Sequence, residues 1–161
     1  MTFLKRSLHS PAAEKQLPLS GKSILLADDS LDNQLIIDHF LTENGATVSL
    51  ASDGSEAVIK AVKGKFDLIL MDIQMPKMNG HYAAEVLRGI GCKAPIIALT
   101  AFASISDKSN SKSCVFSSYL CKPFRFGDLL NIILAHDKNS VKKSIKRKVC
   151  KSPLNKNKTN S

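Results

Sequence analysis

The fold of this chain is constrained most by an alternation, beginning at Gly21, between short apolar runs and longer stretches in which apolar residues recur at helical spacing. Runs that are apolar on both faces are typical of strands covered by helices on either side, and their alternation with helices is typical of a parallel sheet built from βα units. Five such runs have the length of a strand; they lie at 23–27, 46–50, 67–71, 95–99 and 118–121. The sequence therefore predicts an α/β domain with five parallel strands.

Helical stretches separate and follow these strands. Ser30 can cap the first helix and Asn44-Gly45 can end it. Its inward face is predicted to consist of five apolar residues: Leu31, Leu35, Ile36, Phe40 and Leu41. Three further helices with an apolar face are predicted at 54–64, 80–90 and 127–136. Residues 104–113 hold five serines, one asparagine and almost no apolar stripe, so a frayed or mobile fourth helix is expected before the last strand.

Charge and composition divide the 161 residues into three parts. Residues 1–20 hold two prolines, three serines and little periodicity, so we interpret them as a flexible leader or linker, and residues 21–137 as the domain. After Asp137 there are nine basic residues and no acidic one, and the 14 basic residues before that point equal the 14 acidic ones. The net charge of +9 therefore belongs to a tail, 138–161, which is predicted to be disordered and is a candidate for binding an anionic partner.

The cysteines and the apolar runs exclude several classes of protein. The four cysteines, at 92, 114, 121 and 150, lack the closely spaced pairs of a zinc site. Every apolar run is shorter than the roughly 20 residues of a membrane span, and the basic start is not followed by the apolar segment of a signal peptide. We therefore expect free thiols, no membrane insertion and a cytoplasmic location.

Polar residues that carry chemistry stand at the ends of four predicted strands. They are Asp28-Asp29, Asp72, Thr100 and Lys122. The carboxyl ends of parallel strands meet at one edge of a sheet, clustered carboxylates there repel unless a cation neutralises them, and Mg²⁺ prefers such oxygens. A hydroxyl and an ammonium in the same pocket would bind phosphoryl oxygens. Asp72, alone at the end of the central strand, is the natural nucleophile for an aspartyl phosphate.

Four short motifs occur in order at these strand ends. They are Leu26-Ala27-Asp28-Asp29-Ser30, Met71-Asp72-Ile73-Gln74-Met75-Pro76 with Asn79-Gly80, Ala98-Leu99-Thr100-Ala101, and Lys122-Pro123-Phe124. On these motifs, residues 21–136 resemble the receiver domain of two-component response regulators. The resemblance implies a flavodoxin-like, doubly wound sheet of five parallel strands in the order 2-1-3-4-5, with helices on both faces.

The resemblance also implies a role for each matching residue. Asp72 is implied to be the phosphoacceptor, which takes a phosphoryl group from a histidine of a sensor kinase or of a histidine phosphotransfer protein. Mg²⁺ is implied to be bound directly by Asp29, through water by Asp28, and by the backbone carbonyl of Gln74, with Asp72 completing the metal site. Lys122 is implied to form an ion pair with the phosphoryl oxygens.

The same resemblance implies that Thr100 and Tyr119 form a switch pair, whose hydroxyl and ring move on phosphorylation, and that the peptide bond before Pro123 is cis. Two positions depart from the family's pattern. Val115 replaces a usual glycine, which puts the turn before the last strand in doubt. Phe102 stands where the family more often has a polar or smaller group. We predict that Phe102 shields the acyl phosphate from water and lengthens its life relative to a Phe102→Glu variant.

These inferences predict a phosphorylation-dependent switch that changes partner binding, and not a turnover enzyme, although the domain is expected to promote its own phosphotransfer and dephosphorylation. A stand-alone response regulator is the preferred interpretation, a receiver domain of a hybrid histidine kinase the second, and a nucleic-acid-binding regulator acting through the basic tail the third. The output partner is left open. A dimer or partner is expected on the face of the fourth helix, fifth strand and last helix. An aspartyl-phosphate type of phosphatase is disfavoured, because such enzymes commonly place a second aspartate where this chain has Gln74.

Overall fold

A computed structural model of the chain describes residues 17–101 and 115–137. The strands within these ranges are β1 (Ser23–Ala27), β2 (Thr47–Ala51), β3 (Leu68–Asp72), β4 (Ile96–Thr100) and β5 (Ser118–Cys121). The helices are α1 (Leu31–Glu43), α2 (Gly54–Lys63), α3 (Gly80–Gly89) and α4 (Phe126–Ala135), and none of these four has the length and apolar character needed to cross a membrane. The predicted helix at 104–113, Phe102 and the tail after residue 137 lie outside the described residues.

The five strands form one parallel sheet in the order β2-β1-β3-β4-β5, which confirms the predicted fold class and strand order. Every residue of β3 and β4 is buried. Such runs are expected where helices cover both faces of a parallel sheet. The last residues of β3 and β4 therefore reach the sheet edge from a fully buried scaffold.

Alternate residues of the strands pack into two separate cores, one on each face of the sheet. Leu25 of β1 belongs to the core shared with α2 and α3, whereas Ile24 and Leu26 belong to the core shared with α1 and α4. Successive side chains of a strand point to opposite faces, so one apolar run can serve both layers. Helices on both faces agree with the doubly wound arrangement.

Three strands begin and end one residue later than predicted: β2, β3 and β4. Asp72 is consequently the last residue of β3 and pairs with Leu99, while Thr100 is the last residue of β4 and pairs with Cys121. The apolar pattern ends one residue before the backbone pairing does, which is why the sequence placed these polar residues just after the strands.

The inward face of α1 differs from the prediction. Leu31, Leu35 and Ile36 are 70%, 63% and 56% exposed, and the buried residues of the helix are Gln34, Ile37 and Leu41. Apolar residues lie on more than one side of α1, so more than one stripe fitted the helical spacing. The stripe that contains a glutamine is buried because the side-chain amide of Gln34 donates to the backbone carbonyl oxygens of Asp28, at 2.6 Å, and Ala51, at 3.0 Å.

The packed part of the chain begins before the predicted boundary at Gly21. Leu19 is fully buried in the core beneath α1 and α4, and its backbone N–H donates to the carbonyl oxygen of Asn44 at 2.8 Å. This contact ties the entry to β1 to the turn that ends α1. Leu19 therefore packs against the domain although it lies before the predicted boundary.

Candidate functional site

Three carboxylates meet at the carboxyl edge of the sheet. Asp28 follows β1 and is fully buried, Asp72 ends β3 and is 7% exposed, and Asp29 is exposed at the rim. One ligand oxygen from each can be chosen so that all three lie within 4.8 Å of one another. The sequence predicted this grouping from the strand ends, and the parallel pairing of β1 with β3 brings it about. We refer to these three residues as the carboxylate cluster.

The ammonium of Lys122 bridges the two buried members of the cluster. Its Nζ lies 2.8 Å from Oδ2 of Asp28 and 2.6 Å from Oδ2 of Asp72. Lys122 reaches this position from the turn after β5, where its backbone N–H donates to the carbonyl oxygen of Thr100 at 2.7 Å. Among the described residues, Lys122 is the one ammonium in contact with this cluster of three carboxylates, so the cluster keeps an excess of negative charge.

The pKa values of Asp72 and Lys122 are both raised, but for different reasons. Burial raises the pKa of Asp72, although hydrogen bonds from Lys122 and from the backbone N–H of Gln74 act the opposite way. Burial by itself would lower the pKa of Lys122, but its hydrogen bonds to Asp28 and Asp72 outweigh that effect and raise its pKa. Lys122 is therefore a cation at neutral pH, while Asp72 pays a desolvation cost for its charge.

The donor set fits a hard divalent cation. Mg²⁺ is bound in proteins by one or two carboxylates and keeps several waters, and two carboxylates in excess of one ammonium supply the charge that it would neutralise. A cation beside Asp72 would also offset the cost of ionising a buried carboxyl group. The residues that would hold it are Asp28, Asp29 and Asp72, together with the carbonyl of Gln74 that the resemblance implies.

The first turn of α1 holds Asp28 in place and includes a residue that sequence analysis missed. Asp28 accepts the backbone N–H of Ser30 at 3.0 Å, and both of its oxygens accept from the side-chain amide of Asn33 at 3.2 and 3.3 Å. The hydroxyl of Ser30 also caps α1, as predicted, by accepting the N–H of Asn33. Asn33 could have been identified in the sequence from its position in the first turn of the helix that follows a strand-end aspartate.

Close backbone contact at Gly80 places the start of α3 against Asp72. A Cβ atom on Gly80 would lie 1.9 Å from the carbonyl oxygen of Asp72, so only glycine fits. The N–H of Gly80 donates to the carbonyl oxygen of Ile73 at 2.9 Å, and the N–H of Gln74 donates to Oδ1 of Asp72 at 2.9 Å. The β3–α3 loop, residues 73–79, thus wraps around the carboxyl group that it follows.

The predicted switch residues occupy two different environments. Thr100 is buried at the end of β4, whereas Tyr119 is 41% exposed on β5. The ring of Tyr119 packs edge-to-face against Phe116 with 5.4 Å between centroids, and Phe116 in turn packs against His81 of α3 at 5.8 Å. This row of aromatic side chains joins the edge strand to α3.

Two further expectations concern the approach to and exit from β5. The peptide bond between Lys122 and Pro123 is cis, as the resemblance implied. Val115, which departs from the family pattern, is buried in the core, and its carbonyl oxygen accepts from Nε of Arg88 at 2.9 Å. Valine in place of the family's usual glycine at position 115 is therefore compatible with a β5 strand that pairs in register with β4.

Comparisons with known proteins agree with the fold. The chain is 36% identical over 125 residues to the sensor protein GacS of Pseudomonas syringae pv. syringae, covering 73% of this chain and 14% of that protein. It is 32% identical over 121 residues to the transcription factor SKN7 of Saccharomyces cerevisiae, covering 75% of this chain and 20% of that protein. The chain thus spans a fifth or less of the length of these two relatives.

One solved structure is similar to this chain in both fold and sequence. The receiver domain of the sensor histidine kinase PA1611 from Pseudomonas aeruginosa PAO1, with a magnesium ion coordinated in its active site cleft, superposes with a TM-score of 0.66 at 37% identity, over 72% of this chain and 97% of that one. The sequence pattern of the response regulator receiver domain matches residues 24–134. With its strand order and its strand-end carboxylates, the chain belongs to the response regulator receiver domain family.

Proposed function

We propose that this chain is a phosphoacceptor switch, in which Asp72 receives a phosphoryl group from a histidine of a sensor kinase or of a histidine phosphotransfer protein. One observation carries the proposal: Asp72 ends the central strand with the ammonium of Lys122 at 2.6 Å and two further carboxylates grouped within 4.8 Å. A carboxylate so placed has both a neutralising cation and a candidate metal site beside the atom that would react.

The chemistry follows from these groups. A carboxylate oxygen of Asp72 attacks the phosphorus atom, the new P–O bond forms as the P–N bond to the donor histidine breaks, and the electron pair of that bond returns to the imidazole. Lys122 stabilises the charge on the transferring oxygens, because its ammonium is already fixed at the carboxylate. Mg²⁺, when bound by the carboxylate cluster and the carbonyl of Gln74, would neutralise the same oxygens.

A switch also requires that the phosphoryl group change a surface. We assign this role to Thr100 and Tyr119, because one is buried beside the acceptor strand and the other is half-exposed on the edge strand. Movement of the Thr100 hydroxyl toward the phosphoryl group would favour a different position of the Tyr119 ring. The changed surface would include β5 and α4 and would bind an output partner or a second copy of the chain.

The donor is expected to be a protein, because an exposed apolar surface borders the site. Leu31, Leu35 and Ile36 of α1 are exposed, and Phe126 of α4 stacks on Phe40 with 4.6 Å between ring centroids. We call these five residues the α1–α4 apolar surface. A hollow lined by Ile36 and Phe126 extends to Lys122, so a protein seated there would lie beside the acceptor.

The test is the intact mass of the protein after incubation with acetyl phosphate and Mg²⁺, for the wild type and for Asp72→Asn. The expected result is a gain of one phosphoryl group that requires both Mg²⁺ and Asp72. A gain that persists in Asp72→Asn would place the acceptor elsewhere and overturn the assignment. If neither protein gains mass, incubation with a phosphorylated histidine phosphotransfer protein decides whether the chain needs a protein donor.

The wider context of the domain is a separate proposal. We favour a stand-alone response regulator, with a hybrid histidine kinase as the alternative, and the relatives include both a sensor protein and a transcription factor. The size of the native protein in a cell extract, detected with an antibody against this domain, would distinguish a short regulator from a long kinase.

Nucleic-acid binding through the basic tail is the remaining alternative. The excess of basic residues after Asp137 favours it, since the rest of the chain is neutral. Truncation at Asp137 should abolish binding to an oligonucleotide if the tail is responsible. Binding that is unchanged after truncation would exclude this role.

A further inference from the structure

We propose that the ion pair between Asp53 and Lys77 is a positioning device that holds the β3–α3 loop in the conformation that presents Gln74 to the carboxylate cluster. The inference rests on the proposed function, because it assumes that the cluster binds Mg²⁺. Neither residue belongs to the strand-end motifs, and the two are 24 positions apart in the chain. Their contact joins the start of α2 to the loop that follows the acceptor.

Two adjacent contacts connect the loop to α2. Nζ of Lys77 lies 2.8 Å from Oδ2 of Asp53, and the N–H of Gly54 donates to the carbonyl oxygen of Met78 at 3.1 Å. The approach at the second contact is so close that a Cβ atom on Gly54 would lie 2.5 Å from that carbonyl oxygen. The start of α2 therefore acts as the surface against which residues 77 and 78 are held.

Asp53 is the buried partner of this ion pair and Lys77 is the exposed one. Oδ1 of Asp53 caps α2 by accepting the N–H of Glu56 at 2.9 Å, which leaves Oδ2 for the lysine. The side chain of Asp53 is 8% exposed, whereas that of Lys77 is 76% exposed. The hydrogen bond from Lys77 and then that from the N–H of Glu56 lower the pKa of Asp53, so its carboxylate stays charged.

The backbone of Lys77 adopts a conformation that is unusual for a residue with a side chain. Its φ angle is +61°, in the left-handed region that residues with a Cβ atom seldom occupy. A conformation of this kind persists where surrounding contacts determine it, and such residues gather at functional loops. Three residues earlier in the same loop, the N–H of Gln74 donates to Oδ1 of Asp72. A change at residue 77 would therefore be transmitted along a short backbone segment to the proposed metal ligand.

The direction in which Mg²⁺ affinity changes distinguishes a positioning role of the ion pair from a direct electrostatic effect of its two charges. Loss of the positive charge of Lys77 would by itself tighten Mg²⁺ binding, and loss of the negative charge of Asp53 would by itself weaken it. Loss of the loop's anchor weakens binding in both cases. A positioning role thus predicts that Mg²⁺ affinity falls in both variants, although the two side chains that are replaced carry opposite charges.

The experiment measures the dissociation constant of Mg²⁺ by NMR titration of the full chain with MgCl₂, for wild type, Lys77→Gln, Asp53→Asn and Lys77→Arg. Asparagine preserves the helix cap, and Lys77 is exposed, so these variants are expected to fold. We expect the constant to rise about tenfold in both Lys77→Gln and Asp53→Asn, the size found for groups that orient metal ligands. Lys77→Arg should keep most of the wild-type Mg²⁺ affinity, because arginine can form the same ion pair with Asp53.

Lys60→Gln is the matched control, because it removes a lysine of α2 whose ion pair with Glu56 does not involve the loop. Its Mg²⁺ affinity should equal that of the wild type. Opposite shifts for Lys77→Gln and Asp53→Asn, or unchanged values in both, would overturn the inference while leaving the proposed function intact. If the wild type binds no Mg²⁺, the metal site of the proposed function fails and this inference fails with it.

Discussion

At the scale of single residues, the site depends on one ammonium shared between two buried carboxylates. Lys122 lies 94 positions from Asp28 and 50 from Asp72 in the chain, and it contacts both. Buried charges are tolerated in proteins when they are paired and hydrogen-bonded, and they become costly when one partner is removed. The residue proposed to assist the chemistry is therefore also one that stabilises the fold.

Lys122→Met tests this double role. Without Mg²⁺, the variant should lose about 1–3 kcal/mol of unfolding free energy, because two buried carboxylates lose a charged hydrogen-bond partner. Added Mg²⁺ should recover part of the loss, since a cation that binds only the folded state stabilises it. Urea denaturation with and without Mg²⁺ measures both effects. Lys65→Met, at an exposed position, is the control. An equal loss of unfolding free energy in that variant would mean that the contacts of Lys122 with Asp28 and Asp72 do not stabilise the fold.

A second residue-scale prediction concerns His136, far from the acceptor, whose Nε2 lies 2.6 Å from Oγ of Ser118. It lines a hollow with four charged residues, Lys22, Asp67, Lys93 and Asp137, and burial lowers its pKa below 6.5. The unfolded chain therefore binds a proton first as the pH falls, so the folded state loses stability as the pH falls through and below 6.5.

His136→Gln should remove this part of the pH dependence. The unfolding free energy of the variant minus that of the wild type is expected to rise as the pH is lowered from about 7.5 to about 5.5. Urea denaturation at several pH values measures the difference. His39→Gln, at an exposed position of α1, is the control for replacing a histidine elsewhere in the domain. A flat difference for His136→Gln would mean that this histidine does not contribute.

At the scale of elements, the site is built by the turns and loops at the carboxyl ends of the strands. The turn after β1 leads into α1, which holds Asp28 through Asn33, and the turn after β5 directs Lys122 back to the sheet edge. The β3–α3 loop is the most constrained of the three, because it is held by Asp72, by Gly80 and by the start of α2. Each element thus contributes one group, and none of them forms the site alone.

Gly80→Ala tests the contact between α3 and Asp72. A Cβ atom 1.9 Å from a carbonyl oxygen forces the helix and the strand end apart. Overpacking of this kind costs about 1–3 kcal/mol or more, and Mg²⁺ binding should weaken because Asp72 moves. Gly89→Ala in the same helix meets no atom within 4 Å, and it should gain up to about 1 kcal/mol from helix propensity. Denaturation midpoints that are equal for the two variants would contradict the close approach.

At the scale of the whole molecule, the exposed α1–α4 apolar surface borders the hollow that extends to Lys122, so the proposed protein donor is expected to cover this surface when it reaches Asp72. Ile36→Glu should therefore reduce phosphoryl transfer from a histidine phosphotransfer protein by about tenfold, equivalent to about 1.4 kcal/mol. The rate with acetyl phosphate should not change, because a small donor needs no docking. Ile59→Glu on α2, also exposed, is the control for an added charge. Equal losses with both donors would mean that the substitution disturbs the site itself.

Sequence patterns were enough to predict the class of the fold and the convergence of the strand-end carboxylates with Lys122. Short apolar runs, helix caps such as Ser30 and polar residues at four strand ends are local patterns, and they predicted the bounds of the described elements to within about two residues. The grouping of Asp28, Asp72 and Lys122 followed from the rule that parallel strands share a carboxyl edge. The strand order came from the resemblance, because the pairing of distant strands leaves no local pattern.

Contacts between distant segments were needed to show which side of α1 is buried, that Leu19 belongs to the core and which residue at the start of α2 contacts the β3–α3 loop. Gln34 is buried because two carbonyl oxygens from different strand ends accept its amide, and Leu19 is buried because it meets the end of α1. The ion pair of Asp53 with Lys77 likewise joins two loops. In each case the partner lies elsewhere in the chain, so hydrophobic spacing along one segment could not reveal it.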